Sequence, residues 1–507
     1  MTVTATTAAT RHAVRSPSDG TVVGEVAWAD ADAVAATAAR LRAAQPAWLA
    51  LGPRGRGAAL ARFGRWLADE RPRLERLLIA ETGKSASDAR VEIPMILELL
   101  AYYGRHAGRF LAPERRPPAS ALVAHKRVTV HRRPYPLVGV IAPWNYPIAM
   151  ALLDAVPALA AGCAVLVKPS ELTPLTTAEI VRGWRARAGA PAVLDAALGA
   201  VATGEAVVDA VDMVQFTGSS RGGRAVMERA ARRLTPVSLE LGGKDAMLVL
   251  DDADLERAAS AAVWGGLFNA GQTCVSVERV YVHETVHDRF VALVVDQVRA
   301  LRQGSGDGHD LGALIDERQL ATVERHVAQA RAAGARVAIG GGRRPGPGCF
   351  HEPTVLVDVD QAMDCMREET FGPTLPIMRV RDEEQAVALA NDSAYGLSAS
   401  VFTRDRERGR RIAARLECGA VNVNDVIVNL MTTTAPHGGW KTSGIGARMG
   451  GAEGLRKFCR TEVVVESRIA LRHEPLWYAA GDRVRALADR LLVGHARRAL
   501  RRLERAG

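Results

Sequence analysis

Short apolar runs along the chain alternate with stretches in which apolar positions recur at helical spacing. The run LVGVI at 137–141 is followed by a helical pattern over 148–160 and then by the run AVLV, which ends at Lys168. Apolar runs of this length predict buried strands, and a helical pattern between two of them predicts the crossover of a parallel sheet.

The same alternation occurs on both sides of the segment LELGGK at 239–244. Before it, MVQF at 213–216 predicts a strand that leads through TGSS into a helix. After it, the predicted elements are a helix near 253–268, a turn around Cys274, a strand near 277–283 and a helix near 286–301. The sequence therefore predicts an α/β protein with two doubly wound parallel-sheet lobes and a cleft between them.

Two segments lie outside this alternation. KRVTVHRRP at 126–134 alternates apolar and polar residues, which predicts an exposed hairpin. Near the C-terminus, Val484, Leu487, Leu491 and Leu492 share one face of an arginine-rich helix. A basic amphipathic helix can lie on a membrane surface, but we expect this one to pack on its own protein.

The segment IAMALLDAVPALAAGCAVLV at 148–167 has the length of a membrane span. Asp154 and Pro157 interrupt it, and Lys168 ends it. These interruptions favour a buried helix followed by a buried strand. We therefore predict no membrane association.

Composition narrows the classes of function. Of the 507 residues, 48% are hydrophobic, which is enough for two or three domains with sizeable cores. The net charge of +10 comes from sixty arginines and only six lysines, interspersed with acids. Because no basic stripe with interleaved aromatic residues is present, we predict no nucleic-acid partner. Three of the scarce lysines, Lys168, Lys244 and Lys441, fall in the motifs described below.

The six cysteines are far apart, and no two form a C-x-x-C pair. The first twenty residues contain no apolar segment of the kind found in secretory signals. Both observations predict reduced thiols and a cytoplasmic location. The cysteines are Cys163, Cys274, Cys349, Cys365, Cys418 and Cys459.

HETVH at 283–287 matches the zinc motif H-E-x-x-H, in which two histidines lie on one face of a helix. Here the preceding VERVYVH alternates as a strand does, and Thr285 with Asp288 forms a helix-start pattern. His283 is therefore predicted at a strand end and His287 in the first turn of a helix. Because the two rings would not share a helix face, we predict no metal site.

Two predicted strand ends have features of phosphate or ribose binding. In QFTGSSRGG, Gly218 lets backbone N–H groups approach a phosphate, and Ser219 can cap the following helix. In VLVKPSE, Lys168 and Glu171 follow a strand, where an acid can bind ribose hydroxyls. The alternatives are an ordinary strand–helix turn and a surface salt bridge.

Cys274 follows the turn segment GQT. An isolated cysteine can be a buried apolar side chain, a metal ligand, half of a disulfide or a nucleophile. A thiolate that attacks a carbonyl needs a base and donors for the developing oxyanion. Glu240, at a predicted strand end beside two glycines, could be that base, and the Asn145 amide in PWNYP could be one of the donors.

Eight motifs occur in the order in which they occur in the aldehyde dehydrogenase superfamily, which the chain resembles from about residue 20 to 465. They are ETGK (81–84), PWNYP (143–147), KPSE (168–171), FTGS (216–219), LELGGK (239–244), GQTC (271–274), EETFGP (368–373) and PHGGWKTSG (436–444).

The resemblance implies oxidation of an aldehyde to a carboxylic acid. Cys274 is the implied nucleophile, and Asn145 with the Cys274 backbone N–H is the implied oxyanion hole. Glu240 is the implied base that activates water to hydrolyse the thioester left after hydride transfer. Relatives that pass the acyl group to coenzyme A typically lack this glutamate, so hydrolysis is expected. A catalytically silent binding protein is the alternative, and the presence of all three residues argues against it.

The resemblance also implies a nicotinamide cofactor. Lys168 and Glu171 are implied to hold the adenosine ribose, residues 218–223 to lie near the pyrophosphate, and Glu369 with Phe371 to contact the nicotinamide nucleoside. Because a carboxylate near the ribose 2′ position repels a phosphate, NAD is expected, with NADP possible. The implied contacts are Trp144, Lys168, Glu171, Gly218, Ser219, Gly222, Leu241, Glu369 and Phe371.

A homodimer or homotetramer built from three parts is implied as well. The parts are a cofactor domain (1–121 and 135–241), a catalytic domain (242–445) and a small β bridging and oligomerisation element (122–134 and 458–469), followed by a basic C-terminal extension (470–507).

The positions expected to face the substrate are mostly apolar, which predicts an aliphatic or aromatic aldehyde. GQTCVSVERVYV and GAVNVND are instead similar to succinate-semialdehyde dehydrogenase-like members, whose substrate carboxylate would need an arginine or several hydroxyls. His437 stands where the family more often has an aromatic residue, and we interpret it as a solvated histidine. The expected lining is Tyr146, Met150, Leu153, Thr273, Val275 and residues 425–431.

Overall fold

The structure is a computed structural model, and it describes residues 11–505. Contacts divide the chain into two units. The first unit holds the residues up to Ala107 together with Tyr135–Phe458, and the second holds Gly108–Pro134 and the residues from Cys459 onward. Two large sheets lie in the first unit.

The first sheet has six strands, of which five are parallel and one, Gly444–Ile445, pairs antiparallel with Val237–Glu240. All residues of Leu137–Ile141, Ala164–Lys168 and Met213–Thr217 are buried, as is usual for a parallel sheet covered on both faces. In spatial order the strands are Gly444–Ile445, Val237–Glu240, Met213–Thr217, Leu137–Ile141, Ala164–Lys168 and Leu194–Ala196.

The second sheet has seven strands, and only Arg336–Ile339 and Thr354–Val357 pair antiparallel. Its core includes the fully buried Leu248, Tyr281 and Val401. In spatial order the strands are Arg336–Ile339, Thr354–Val357, Thr374–Val380, Val277–His283, Asp245–Val249, Ser398–Phe402 and Ala420–Val423. The predicted α/β fold with two parallel-sheet lobes is confirmed.

The helices alternate with these strands along the chain. Those of the first half are Ala31–Ala50, Gly52–Asp69, Arg71–Thr82, Ala86–Ala89, Glu92–Phe110, Pro147–Ala161, Leu175–Arg187, Val201–Ala210 and Ser220–Ala231. Those that follow up to residue 456 are Leu255–Leu267, His287–Arg299, Glu317–Ala332, Asp364–Arg367, Glu383–Asn391, Arg406–Ala413, Val428–Met431 and Gly451–Arg456. Two short antiparallel strand pairs complete this unit: Arg11–Arg15 with Val22–Ala27, and Tyr395–Gly396 with Trp440–Lys441.

The helix Pro147–Ala161 is buried along its whole length. It begins at a proline, whose missing N–H is not needed in the first turn, and it ends at Gly162 with φ 108°. With the strand Ala164–Lys168 it accounts for the segment of membrane-span length, as predicted. Within residues 11–505, no helix is long and apolar enough to cross a membrane.

In the second unit, the strand Lys126–Pro134 pairs antiparallel with Cys459–Ser467 and, on its other edge, with Glu114–Arg116. The predicted hairpin within residues 126–134 is therefore wrong. These nine residues contain no glycine, asparagine or aspartate to form a tight turn, so they continue as one strand and pair with a distant segment.

The C-terminal helix of this unit spans Gly481–Glu504 and follows the short 3-10 turn Tyr478–Ala480. Its side chains Val484, Leu487 and Leu491 are 45%, 58% and 52% exposed. The helix nevertheless contacts the 3-10 turn Ala121–Val123 of the same unit and buries Ala488, so it packs on its own protein as expected, with much of its apolar face left about half exposed.

Candidate active site

Cys274 lies in a tight connection between the helix Leu255–Leu267 and the strand Val277–His283. A 3-10 turn, Phe268–Gly271, precedes it. Gly271 has φ +72°, and a Cβ there would lie 2.0 Å from the Gly372 carbonyl oxygen, so no other residue fits. The glycine in the GQTC motif thus fixes the backbone path that leads to the cysteine.

Cys274 is not in a disulfide, nor is any of the other five cysteines. Cys274 is only 9% exposed, and it lines a cleft. Burial, and then the nearby Glu240 carboxylate, raise the pKa of the Cys274 thiol well above its usual value. The thiol therefore needs a proton acceptor close by before it can act as a nucleophile.

Asn145 lies in the loop before the helix Pro147–Ala161. The buried Glu92 carboxylate accepts hydrogen bonds from the Ile148 and Ala149 N–H groups, at 3.0 and 2.9 Å, and so caps this helix. The Asn145 amide nitrogen donates to the Gln272 carbonyl at 3.0 Å. One of its two N–H groups is thus used to hold the amide beside the cysteine turn, which leaves the other for a ligand.

Glu240 ends the strand Val237–Glu240, where Gly444 of the antiparallel strand is its register partner. It is 1% exposed, and neither carboxylate oxygen accepts a hydrogen bond from the described residues. One oxygen, Oε2, lies 3.0 Å from Nη1 of Arg448. Burial raises the pKa of Glu240, whereas the charge of Arg448 lowers it. Oε2 is therefore engaged in an ion pair, which leaves Oε1 as the acceptor for a proton from the thiol or from water.

One cleft of about 260 Å³ brings these three residues together with most of the predicted cofactor contacts. Its lining also includes Met150, which was expected to face the substrate, and Gln319, which the motifs did not indicate. The lining residues are Pro143, Trp144, Asn145, Met150, Thr217, Gly218, Ser219, Glu240, Leu241, Gly242, Cys274, Gln319, Glu369 and Phe371.

One wall of the cleft is built around Glu369 and Phe371. The partly buried Glu369 carboxylate accepts from the Gly243 N–H at 2.9 Å, and a Cβ on Gly242 would lie 2.4 Å from it. Gln319 donates to the Phe371 carbonyl, and the ring of Phe371 meets the edge of Trp144 at 5.5 Å. A carboxylate beside two aromatic faces fits a ribose and a flat heteroaromatic ring.

The opposite wall is the turn before the helix Ser220–Ala231. Ser219 caps this helix by accepting from the Gly222 N–H at 3.2 Å. A Cβ on Gly218 would lie 2.8 Å from the Phe216 ring, so the turn needs a glycine. Gly218 and Ser219 thus bring the start of this helix to the cleft, and the N-terminus of a helix fits a diphosphate.

Lys168 and Glu171 do not line this cleft. They follow the strand Ala164–Lys168 and form an ion pair of 3.4 Å, and Glu171 lines a separate surface pocket with residues that include Leu172 and Ile315. Gly222 likewise contributes its N–H to the helix cap instead of a surface of the cleft. The structure therefore groups six of the nine predicted cofactor contacts.

A second cavity, of about 300 Å³, shares Met150 with the cleft. Of the expected substrate-facing residues, Tyr146, Met150, Ile427, Leu430 and Met431 line it, and Leu153, Thr273 and Val275 do not. No motif indicated the remaining lining residues, which are Arg90, Val91, Pro94, Met95, Glu98 and Phe268. We call this cavity the apolar tunnel.

Two histidine predictions have different outcomes. His437 is 2% exposed, and burial lowers its pKa to about 4, so the interpretation as a solvated histidine is wrong. The reason is that its segment passes beneath the cleft, where its carbonyl accepts from the Arg448 N–H. His283 and His287, by contrast, lie on a strand end and a helix start, as predicted.

Sequence comparison identifies relatives along nearly the whole chain. The aldehyde dehydrogenase family matches residues 3–464. A protein of Mycolicibacterium smegmatis, provisionally named succinate-semialdehyde dehydrogenase (NADP+), is 42% identical over 456 residues, which are 88% of this chain and 87% of that one. A 4,4'-diapolycopene aldehyde oxidase of a Methylomonas species is 39% identical over 92% of this chain and 88% of its own.

Solved structures give the same picture. A Mycobacterium tuberculosis aldehyde dehydrogenase complexed with NAD+ superposes with a TM-score of 0.86 and 36% identity, over 92% of this chain and 96% of that one. Betaine aldehyde dehydrogenase of Staphylococcus aureus, in complex with NAD+, superposes with a TM-score of 0.86 and 30% identity, over 91% and 92%.

Proposed function

Since the chain belongs to the aldehyde dehydrogenase family and is an NAD(P)-dependent enzyme, we propose that it oxidises an aldehyde to a carboxylic acid through a covalent cysteine intermediate. The observation that carries this proposal is the single cleft lined by Cys274, Glu240 and Asn145. These are a nucleophile, a base and an amide donor, the three groups that acyl chemistry at a thiol requires.

The first step is thiolate attack on the aldehyde carbon. Glu240 takes the thiol proton, so the Cys274–Glu240 pair carries one negative charge before and after the transfer. The oxyanion that forms accepts hydrogen bonds from the Asn145 amide and the Cys274 backbone N–H. The bound nicotinamide supplies the acceptor for the hydride that leaves the hemithioacetal carbon, and this oxidation turns the hemithioacetal into a thioester.

Hydrolysis completes the cycle. After Glu240 has released the thiol proton to solvent, its Oε1 takes a proton from a water molecule, which attacks the thioester carbon. The Cys274 sulfur leaves as a thiolate, and the acid is released. Burial raises the pKa of Glu240 towards neutral pH, which makes its carboxylate a stronger base.

Turnover with a panel of aldehydes, followed by the formation of NADH or NADPH, tests the proposal directly. We expect stoichiometric formation of the acid and the reduced cofactor. A protein that binds the cofactor but reduces none of it with any aldehyde would instead be the catalytically silent binding protein.

We propose uncharged apolar aldehydes as the substrate class. Eight of the eleven tunnel-lining residues are valine, isoleucine, leucine, methionine, proline or phenylalanine. A tyrosine is the ninth uncharged residue. The two charged ones, Arg90 and Glu98, have opposite signs, and Arg90 already pairs with Asp307 at 2.7 Å. A substrate carboxylate would therefore find no uncommitted cation there, which argues against succinate semialdehyde.

A pair of four-carbon aldehydes separates these substrate classes. Butanal and succinate semialdehyde have the same chain length and differ in the terminal carboxylate. We expect a higher kcat/KM for butanal, and a further rise with chain length up to the size of the tunnel. A preference for succinate semialdehyde would contradict this part of the proposal while leaving the chemistry intact.

We further propose a cytoplasmic homo-oligomer, a dimer or a tetramer. The six cysteines, none of them in a disulfide, support a reducing compartment. The edge strand Cys459–Ser467 exposes Val463, Val464 and Val465 by 56%, 44% and 57%, and an edge strand with exposed apolar side chains favours pairing with another chain. Light scattering on the purified protein checks the oligomeric state, and a monomer at micromolar concentration would contradict it.

A further inference from the structure

A buried arginine that no motif indicated is in ion-pair contact with the proposed base. Arg448 is 1% exposed and belongs to the segment between the strand Gly444–Ile445 and the helix Gly451–Arg456. Its Nη1 is 3.0 Å from Oε2 of Glu240, and it is not part of the cleft lining. It therefore contacts the base without itself lining the cleft.

Arg448 is itself held in place by the helix Pro147–Ala161. Its Nε donates to Oδ2 of Asp154 at 3.1 Å, and its Nη2 lies 3.0 Å from the Met150 sulfur. Asp154 is 0% exposed. The guanidinium fork thus reaches two carboxylates from one fixed position, a geometry that a lysine could not reproduce.

The ion pairs continue to a second cation. Lys457 is 2.8 Å from Oδ1 of Asp154 and donates to Oε1 of Gln215 at 2.6 Å. The chain Glu240, Arg448, Asp154, Lys457 alternates in sign and is neutral when both acids are ionised. Because a buried charge is costly unless it is paired, this arrangement favours the ionised form of Glu240.

Other titratable groups also act on Glu240. The charges of Arg448 and Lys457 lower its pKa, as does the neighbouring Cys274 thiol, and the charge of Asp154 raises it. Glu369, across the cleft, and His437, beneath Arg448, complete the set of ionisable groups nearby. Arg448 is the only one of the cations in ion-pair contact with Glu240 among residues 11–505.

We propose that Arg448, anchored by Asp154, is a positioning residue that keeps Glu240 ionised and oriented as the base of the hydrolytic step. The inference rests on the proposed function, since it assigns a role within that reaction. The second negative charge, Asp154, acts in the opposite direction: it holds the arginine and limits how far the cation stabilises the Glu240 carboxylate.

The effects of Arg448 and Asp154 on Glu240 can be distinguished, because removing each of them should move the pH profile of kcat in a different direction. Steady-state kcat should rise with pH as Glu240 ionises. We call the pH range in which kcat rises the acid limb. In Arg448→Gln the lost cation raises the pKa of Glu240, so the acid limb should move to higher pH by about one unit or more. At pH values below the Glu240 pKa, kcat should fall about tenfold per pH unit. In Asp154→Asn the lost anion lowers that pKa, so the limb should move to lower pH.

A merely structural role predicts a different result, because loss of either partner would then reduce kcat at every pH without moving the limb. Arg56→Gln is the matched control. Arg56 is also a buried arginine, 2% exposed, and donates to the backbone carbonyls of Ala160 and Leu49. It should lower the melting temperature and leave the limb in place. Equal limbs in the wild type, Arg448→Gln and Asp154→Asn, or a shift in Arg56→Gln, would overturn the proposal.

A spectroscopic measurement keeps the inference separate from the proposed function. The infrared band of a protonated carboxyl that disappears in Glu240→Gln reports the ionisation of Glu240 in protein that has met no aldehyde. We expect its pH midpoint to rise in Arg448→Gln and to fall in Asp154→Asn. If Arg448→Gln does not fold, Arg448→Lys decides, because a lysine keeps the charge but reaches only one of the two carboxylates: a midpoint and a kcat equal to those of the wild type would refute the positioning role of Arg448. If no aldehyde is oxidised, the proposed function fails and this titration still stands.

Discussion

The reaction cleft and the apolar tunnel both include Met150, but they are built in different ways. The cleft is lined by short runs of neighbouring residues, such as 143–145, 217–219 and 240–242. The tunnel is lined by side chains at helical spacing near the start of Glu92–Phe110 and along the short helix Val428–Met431, together with Tyr146, Met150 and Phe268. These segments are far apart in the sequence. Local sequence therefore determines one cavity, and long-range packing determines the other.

This difference has a physical cause. In the cleft, backbone N–H groups and glycines must occupy fixed positions, as at Gly271 and Gly242, where a Cβ would collide with a carbonyl or a carboxylate. In the tunnel, the requirement is only an apolar surface of a given size, which many side chains can supply. We therefore expect changes in the cleft to abolish steps of the reaction and changes in the tunnel to alter its selectivity.

The largest effect is expected for Cys274→Ala. Without the sulfur no covalent intermediate forms, so kcat should fall by about four orders of magnitude or more. Because Cys274 is only one of the residues that line the cleft, binding of NAD+ should remain, as checked by intrinsic fluorescence titration. Turnover close to the wild-type value would disprove the role of the nucleophile.

The next largest effect is expected for Glu240→Gln. Loss of the base should slow hydrolysis by about two to four orders of magnitude. Thiolate attack and hydride transfer should still occur once, because removal of the Glu240 charge lowers the pKa of the Cys274 thiol and lets water take its proton. Rapid mixing should therefore show a burst of reduced cofactor, slower than in the wild type, followed by little turnover. The thioester on Cys274 should be visible by mass spectrometry. Loss of the burst in proportion to the loss of turnover would place Glu240 in an earlier step only.

A charge in the tunnel should have a smaller and selective effect. Leu430 is 7% exposed and lines the tunnel, whereas Val428, on the same short helix, is 42% exposed and does not. Leu430→Glu should lower kcat/KM for long apolar aldehydes by about ten- to two-hundredfold, because the glutamate removes apolar contacts and introduces a charge. Butanal, which is short, should be affected less.

Val428→Glu is the control for this comparison. It adds the same charge to the same helix outside the tunnel, so it should leave the chain-length profile unchanged. Equal profiles for Leu430→Glu and Val428→Glu would show that the tunnel is not the substrate path.

Part of this architecture could be predicted from the sequence because the signals are local. Strands such as Leu137–Ile141 and Val277–His283 are uninterrupted buried runs, and the segment GQTC carries its own turn. Glu240 could be located because a strand ends there before two glycines. In each case the residue and the feature that positions it are neighbours in the chain.

The ion pairs beneath the cleft could not be found in this way. Arg448 and Asp154 are separated by 294 residues, and an arginine among sixty carries no signal. The scarcity of lysine is nevertheless a usable signal. Lys84, in ETGK, and Lys457, outside the motifs, both form buried ion pairs, with Glu92 at 2.9 Å and Asp154 at 2.8 Å.

The smallest effect is expected where the structure does not bring a predicted contact into the cleft. Glu171 pairs with Lys168 at 3.4 Å, and its side chain is 36% exposed, so its repulsion of a 2′-phosphate is partly neutralised by the lysine and by solvent. Glu171→Gln should therefore raise kcat/KM for NADP+ by only about three- to tenfold relative to NAD+. Lys168→Gln should act in the opposite direction, because it leaves the carboxylate unpaired. A ratio that changes in neither variant would mean that the adenosine ribose binds elsewhere, and that the selectivity between the two cofactors is set by the cleft walls alone.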